Sequence, residues 1–195
     1  GIAMMIGMRT ETLTSVIQAP IVEELAKGLG VFLVFVIARR AFDGPVDGIV
    51  YGALIGGGFA FTENIQYFAI SMIEGGGVQL TATFVLRGLI SPFAHAMFTA
   101  LTGFAMGLAA RRHASRSAVL GTGLLGLIGA IVLHGLWNGS AMLGDFFALY
   151  ITLQVPLFVG FILAIFALRR EEARLTHARL SEYAAAGWFT PEEVT

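Results

Sequence analysis

The sequence predicts an all-α fold: a polytopic membrane helix bundle of about five transmembrane helices with a short cytoplasmic C-terminal helical tail. Three observations lead there. Of 195 residues, 56% are hydrophobic and only 13% charged, where soluble domains carry about 25% charged residues, and the mean hydropathy is +0.80. Several apolar runs reach the roughly 20 residues that a spanning helix needs. Arginines outside those runs gather on alternate connections. The net charge of −1 points to no polyanionic partner, so nucleic acid is not expected, and the absence of cysteine excludes disulfides and thiolate metal sites. Gly1-Ile2-Ala3-Met4-Met5 shows neither a charged n-region nor a small-residue cleavage site, so no signal peptide is expected.

The first span covers 12–38. It holds no ionisable residue from Gly28 to Ala38, but Pro20-Ile21-Val22-Glu23-Glu24-Leu25-Ala26-Lys27 brings three charges into it. A charge near the centre of a bilayer helix costs about 2.5–3.5 kcal/mol, so these three require a polar interior to face. The second span, 46–73, contains Glu63 and Asn64 and no lysine or arginine, so Glu63 must find its partner on another helix or on a metal ion. The third, 78–110, carries Arg87 and His95, with Pro92 set to bend it between them. The fourth, 118–140, carries His134 and Asn138; the fifth, 147–168, has no Asp, Glu, Lys or Arg.

Arg39-Arg40, Arg111-Arg112 with Arg116, and Arg169-Arg170 follow spans one, three and five, whereas Glu74-Gly75-Gly76-Gly77 and Leu143-Gly144-Asp145 carry no Lys or Arg. The positive-inside rule assigns the arginine-bearing connections and the C-terminus to the cytoplasm and the N-terminus to the outside, for a multi-pass protein of the prokaryotic cell membrane in contact with lipid. Two regions follow: a membrane-embedded bundle over 1–168 and a cytoplasmic or interfacial tail over 169–195. In the tail Glu171, Glu172, Arg174 and Arg179 mark a solvated helix, Gly187 stops it, and Thr190 with Glu193 forms a capping box for another start.

Depth can be counted. Glu23 lies sixteen residues before Arg39, Glu63 seventeen after Val46, His95 sixteen before Arg111 and His134 seventeen after Ser117. At 1.5 Å per residue each stands about 25 Å from the cytoplasmic end of its helix, so four titratable groups on four helices share one layer, displaced towards the outer side. Facing agrees with depth, because residues four apart share a helix side. Gly48, Gly52, Gly56, Ala60 and Asn64 form one stripe; His95, Thr99, Gly103 and Gly107 a second; Gly126, Ala130, His134 and Asn138 a third. Small residues let membrane helices approach closely. Packing alone accounts for the glycines but not for the histidines and carboxylates.

Glu23 and Glu24 point about 100° apart around their helix, so one can act as base while the other serves as a structural partner; the sequence leaves open which. Lys27 stands four residues after Glu23, the spacing of a helical ion pair. His134 and Asn138 share a face and offer a ligand or base together with an amide donor for an oxyanion. Arg87 either counters the carboxylates or anchors the outer end of its helix.

Together, Glu23-Glu24-Leu25-Ala26-Lys27, Phe59 through Glu63-Asn64, the Ser91-Pro92-Phe93-Ala94-His95 segment and His134 through Asn138 resemble the PrsW family of intramembrane proteases. That family is distantly similar to the CAAX-protease and bacteriocin-processing superfamily, whose pattern is Glu-Glu with a trailing basic residue, Phe-xxx-His and His-xxx-Asn/Asp. The resemblance runs from about Pro20 to Asn138. It implies a site-one protease that cuts an anti-sigma factor or a similar single-span membrane protein. Two positions depart from the wider superfamily: Lys27 trails Glu24 by three residues, and Glu63 stands where that superfamily has His.

The chemistry of the residues agrees with peptide hydrolysis. The expected catalytic set is Glu23, Glu24, Glu63, His95, His134 and Asn138, supported by Lys27, Asn64 and Arg87. Glu63, His95 and His134 make a three-ligand set for Zn²⁺ with an open fourth position; metal-bound and metal-free glutamate mechanisms both fit. An ion-coupled transporter, with Gly56-Gly57-Gly58 as a broken helix, and a non-catalytic scaffold or immunity protein are the alternatives.

Overall fold

In a computed structural model the described residues are 7, 10–112, 114–143 and 145–193, and no strand occurs among them. The expectations for residues 1–5, 144 and 194–195 lie outside the described residues. A π-helical turn, Thr14–Gln18, leads into α1 (Ala19–Ile37). Then come α2 (Pro45–Thr83), a π-helical stretch Phe84–Ile90, α3 (Ala94–Arg111), α4 (Arg116–Leu143) and the short α5 (Phe146–Leu149). A third π-helical turn, Tyr150–Gln154, precedes α6 (Val155–Ala185).

The chain divides into two compact units, Gly1–Val155 and Pro156–Thr195. In the second unit α6 remains helical to Ala185, beyond which Gly187 adopts φ +80°, a left-handed conformation that glycine takes without a Cβ penalty. Thr190 then donates to Glu193 Oε2 from its backbone N–H at 2.8 Å and its hydroxyl at 3.1 Å, and a single 3₁₀ turn, Pro191–Glu193, follows.

In the first unit, local chemistry sets where helices begin and break. Asp47 Oδ2 accepts the N–H groups of Asp43 and Gly44 at 3.3 and 3.1 Å and caps the start of α2, where Pro45 fits because its missing N–H would have no partner. Gly76 interrupts α2 with φ 62°, ψ −156°. The approaches on either side of it run in opposite directions. A Cβ on Gly107 would meet Gly44, one on Gly103 would meet Gly48, one on Gly52 would lie 2.7 Å from the Thr99 carbonyl, and one on Gly56 would meet the His95 carbonyl. Advancing four residues along α2 means retreating four along α3, so residues 45–111 form an antiparallel helical hairpin that turns at Gly76.

The hairpin is zipped along two of the expected small-residue stripes. The third stripe joins α4 to α3, where a Cβ on Gly126 would stand 2.7 Å from the Leu101 carbonyl. A buried apolar cluster, Val31, Phe35, Phe42, Met106, Ala109, Ala110 and Val119, closes the end where the arginine-bearing connections lie. Within it Phe42 meets Phe35 edge-on at 5.5 Å and stacks on Tyr51 at 5.6 Å.

Among the described residues, three helical runs are long and apolar enough to cross a membrane: Pro45–Arg111, Arg116–Met142 and Phe146–Ala185. The first of them contains both arms of the hairpin. The α1 run is not among the three because every membrane-length stretch of it contains Glu23, Glu24 and Lys27. Its side chains are sorted against the rule for water: Glu24 and Lys27 are buried, while Val22, Leu25, Leu29 and Leu33 are exposed. An exposed apolar stripe of this kind suits a lipid-facing surface, with the charges turned to the bundle interior.

The zipper yields a paired test. Gly48→Val forces a branched side chain into the Gly103 backbone and should cost at least the about 1–3 kcal/mol typical of overpacking. Gly57→Ala meets nothing within 4 Å and should be neutral or stabilising by up to about 1 kcal/mol. Detergent-solubilised Gly48→Val should lose its monodisperse peak in size-exclusion chromatography and Gly57→Ala should keep it; equal behaviour of the two would refute the close crossing.

Candidate active site

The polar layer converges. Beside the hairpin, α1 and α4 contribute to a cavity of about 220 Å³ lined by Glu23, Glu63, Asn64, Arg87, His95, His134 and Asn138, among others. Of the expected residues, Glu24 and Lys27 do not line it; they stand directly behind.

Lys27 is the junction. Its ammonium lies 2.8 Å from Glu24 Oε1, 3.3 Å from Glu23 Oε2 and 3.0 Å from His95 Nδ1, with its Nζ 4.0 Å from the centroid of the Phe59 ring. An ammonium has three donors and no acceptor, so it donates to all three and is fully satisfied at 2% exposure. It is therefore not confined to the i,i+4 pair with Glu23.

Glu24 is fully buried and equally spent. Besides Lys27, its Oε1 meets His134 Nδ1 at 3.0 Å, and its Oε2 accepts the Thr99 hydroxyl at 3.0 Å. With Nδ1 donating to a carboxylate, His134 turns Nε2 towards the cavity, where Glu23 Oε2 lies 3.9 Å away. The ring of Phe98 stacks on His134 at 5.2 Å, and the two imidazoles stand edge to face at 4.9 Å. The carboxylate–histidine contact is the arrangement that orients metal-binding histidines elsewhere.

Glu63 finds its partners on the other arm of the hairpin. Its Oε2 is held by Arg87 Nη2 at 2.5 Å and by His95 Nε2 at 3.1 Å. Because Nδ1 of His95 accepts from Lys27, Nε2 is the nitrogen that carries a proton to Glu63. Arg87 is itself fixed: Nε donates to Asn64 Oδ1 at 2.9 Å and the guanidinium carbon lies 3.8 Å from the Tyr67 ring centroid. It projects from the middle of the π-helical Phe84–Ile90 stretch. Ser91 and Pro92 break the chain between that stretch and α3, and the Ser91 hydroxyl donates to the Leu86 carbonyl at 2.6 Å. Asn138 donates from Nδ2 to the Ser15 carbonyl at 2.8 Å and so ties α4 to the first π-helical turn.

Three of the side chains form a donor set for a metal. One ligand atom each from Glu23, His95 and His134 lies within 4.8 Å of the others. Glu63, expected in that set, is drawn towards Arg87. Glu23, expected as either the base or a structural partner, joins it. Sequence reasoning missed Thr99 and Tyr67, and gave Phe59, which opens the Phe59-to-Asn64 motif, no contact with Lys27. Thr99 stands in the His95 stripe one turn on, where a threonine counts as a small side chain. Tyr67 carries no signal, since aromatic residues are common in apolar helices.

Comparison with known proteins agrees with these motifs. The chain matches the family described as PrsW family intramembrane metalloprotease over residues 3–165. It is 37% identical over 93 residues to a protein named Protease PrsW from Geobacillus kaustophilus, covering 48% of this chain and 37% of that one. The protein of the same name from Oceanobacillus iheyensis is 28% identical over 153 residues, covering 78% and 65%. For Bacillus subtilis the identity is 33% over 108 residues, covering 55% and 45%. The chain thus spans less than two thirds of the length of each of these curated relatives. No solved structure matches it. Since the family match runs through every helix that lines the cavity, the chain belongs to the PrsW family of intramembrane metalloproteases.

Proposed function

We propose that the chain carries the hydrolytic centre of an intramembrane endopeptidase that cuts a membrane-anchored, single-span regulator of the anti-sigma-factor kind at a first site. The observation that carries this reading is the convergence of Glu23, His95 and His134 in one cavity. Two imidazoles and a carboxylate are a donor set of zinc hydrolases. The charge of the cluster also favours a cation: among the described residues the three carboxylates of Glu23, Glu24 and Glu63 face two cations, Lys27 and Arg87, and an uncompensated charge in a low-dielectric interior is costly. A divalent metal, zinc by the chemistry of the donors, would supply Lewis-acid activation of a water.

The protein's own groups do the rest. Glu24 holds the His134 imidazole with Nε2 towards the cavity, and His95, held at Nδ1 by Lys27, would take a metal at Nε2 only by giving up the proton it donates to Glu63. Glu63 keeps Oε1 without a partner among the described residues and takes the proton of the attacking water. The water oxygen bonds to the carbonyl carbon, the C–N bond then breaks, and Glu63 returns the proton to the leaving nitrogen. Glu24 is unsuited to this work, because three donors already occupy it away from the cavity.

Five spans, with the N-terminus outside and the C-terminus in the cytoplasm, fit the antiparallel register and the arginine distribution. The site then lies towards the outer face. A cysteine at Gly76 should react with a membrane-impermeant maleimide on intact cells and one at Ala114 only after permeabilisation; the native chain has no cysteine to blur the result. The opposite pattern would move the cavity to the cytoplasmic side.

Residues 169–195 form a tail outside the bundle in this reading. Deleting residues 170–195 should leave cleavage in detergent measurable, because every cavity residue lies earlier. Loss of all turnover by a truncation that still elutes as folded protein would give the tail a part in the reaction.

Metal content separates the roles. Purified protein should hold about one zinc per chain, measured by elemental mass spectrometry. His134→Ala and Glu23→Gln should lose both the metal and cleavage. Glu63→Gln should keep the metal and lose at least about 100-fold in turnover, the scale of general-base catalysis. Glu24→Gln should weaken metal binding by about 10–100-fold, as removal of a ligand's orienting partner does. If Glu63→Gln loses the metal while Glu23→Gln retains it, the ligand is Glu63 and the two carboxylates exchange roles.

A further inference from the structure

The expected oxyanion donor, Asn138, already spends an amide N–H on the Ser15 carbonyl, and its pull is towards the first π-helical turn. The cavity holds a stronger donor. We propose that Arg87 is a catalytic residue of the peptidase reaction, binding the carbonyl oxygen of the scissile bond as it becomes an oxyanion; this rests on the hydrolytic reading above.

Three observations carry it. First, the guanidinium has donors to spare. Of its five N–H groups, Nε uses one on Asn64 and Nη2 uses one on Glu63; Nη1 and the second N–H of Nη2 have no partner among the described residues. Second, it is locked before any substrate arrives. The Tyr67 face, the Asn64 amide and the Glu63 carboxylate fix it from three sides, and preorganised donors stabilise a developing charge without reorganisation. Third, it stands close to the reacting groups. One oxygen, Glu63 Oε2, touches Arg87 Nη2 at 2.5 Å and His95 Nε2 at 3.1 Å, so the two nitrogens are separated by a single atom. At 28% side-chain exposure Arg87 is more open than Glu23 at 20%, Glu63 at 16% or His95 at 11%, so a substrate chain can reach it.

The arrangement pairs two events at one ion pair. As the water oxygen bonds to the carbonyl carbon, its proton passes to Glu63 and the C=O electron pair moves onto the carbonyl oxygen. Glu63 loses negative charge at the moment the oxyanion gains it, and Arg87 sits against both. The interaction strengthens at the oxyanion while its old partner weakens, which is the differential binding that lowers a barrier.

The test uses the full chain in detergent, the peptide it cleaves fastest from an unbiased quenched-fluorescence library, the phosphinic isostere of that peptide, and its N-methyl amide, which keeps a planar carbonyl. Arg87→Gln should lower kcat by about 100–1,000-fold, the cost of losing an oxyanion donor, with KM changed by less than about threefold. It should weaken the phosphinic isostere by the same factor as kcat/KM and leave the N-methyl amide unaffected. Arg87→Lys, which keeps the charge beside Glu63, should show the same pattern at a smaller loss and serves where Arg87→Gln does not fold. Unchanged isostere affinity with lowered kcat would make Arg87 a positioning residue for Glu63. Equal weakening of both ligands would make it a ground-state binder, and a larger isostere loss in Asn138→Ala would return the role to Asn138; each overturns the proposal. Failure of the wild-type chain to cleave any library peptide would instead overturn the hydrolytic reading and this inference with it, whereas cleavage with either wrong pattern leaves that reading standing.

Discussion

A lysine with no access to solvent, inside a protein whose outer surface is hydrocarbon-facing, constrains everything around it. Lys27 has three donors, and three acceptors from two helices take them: Glu23 and Glu24 from its own helix and His95 from α3. Removing one partner from a buried ion pair costs about 3–5 kcal/mol, a large part of the 5–15 kcal/mol that holds most domains together. Glu24 extends the constraint to α4 through His134 and back to α3 through Thr99. The packing of α1, α3 and α4 at this level is thus a condition for burying α1's charges at all. The same condition explains why leucines and valines, not charges, cover the outside of α1.

Side chains of ordinary length reach one another across the bundle only because the backbones come very close. The hairpin arms meet at Gly48 with Gly103, and at Gly52 and Gly56 against the Thr99 and His95 carbonyls. In a membrane, where apolar helices gain little from leaving lipid, such contacts are a main source of association. One turn beyond Gly56 the arms carry Ala60 and then Asn64, and they diverge enough for Arg87 and Tyr67 to enter. The cavity opens where the small residues stop.

Much of this was legible in the sequence, for identifiable reasons. Helix count in the hairpin, the stripes and the shared depth of Glu23, Glu63, His95 and His134 rest on the 1.5 Å rise and the four-residue repeat of a helix, which tertiary context barely alters. The stretch 84–90 was not legible as π-helical, since nothing in Phe84-Val85-Leu86-Arg87-Gly88-Leu89-Ile90 distinguishes it from ordinary helix. Arg87 leaves the middle of that stretch and meets Glu63, whereas Glu23 lies with His95 and His134; depth placed both carboxylates in the layer, and only their three-dimensional neighbours separate them. Thr99 was hidden for another reason. Threonine counts as small in a packing stripe and as a donor against a carboxylate, and only the three-dimensional neighbour decides between them.

Adjacent carboxylates on one helix are ordinarily a liability, because like charges repel and both require partners. Here the 100° between consecutive helical residues separates them into different surroundings. Glu24 faces the junction of α3 and α4, where it has no exposure and three donors. Glu23 faces the cavity, with a fifth of its side chain open and a single donor at 3.3 Å. The first is held by three donors; the second, with one, retains more acceptor capacity. Lys27, three residues from one and four from the other, is within reach of both because those two spacings bracket a helical turn. A Glu-Glu-x-x-Lys segment thus supplies, from a single turn and a half of helix, an immobile anchor, an available oxygen and the cation that lets both be buried.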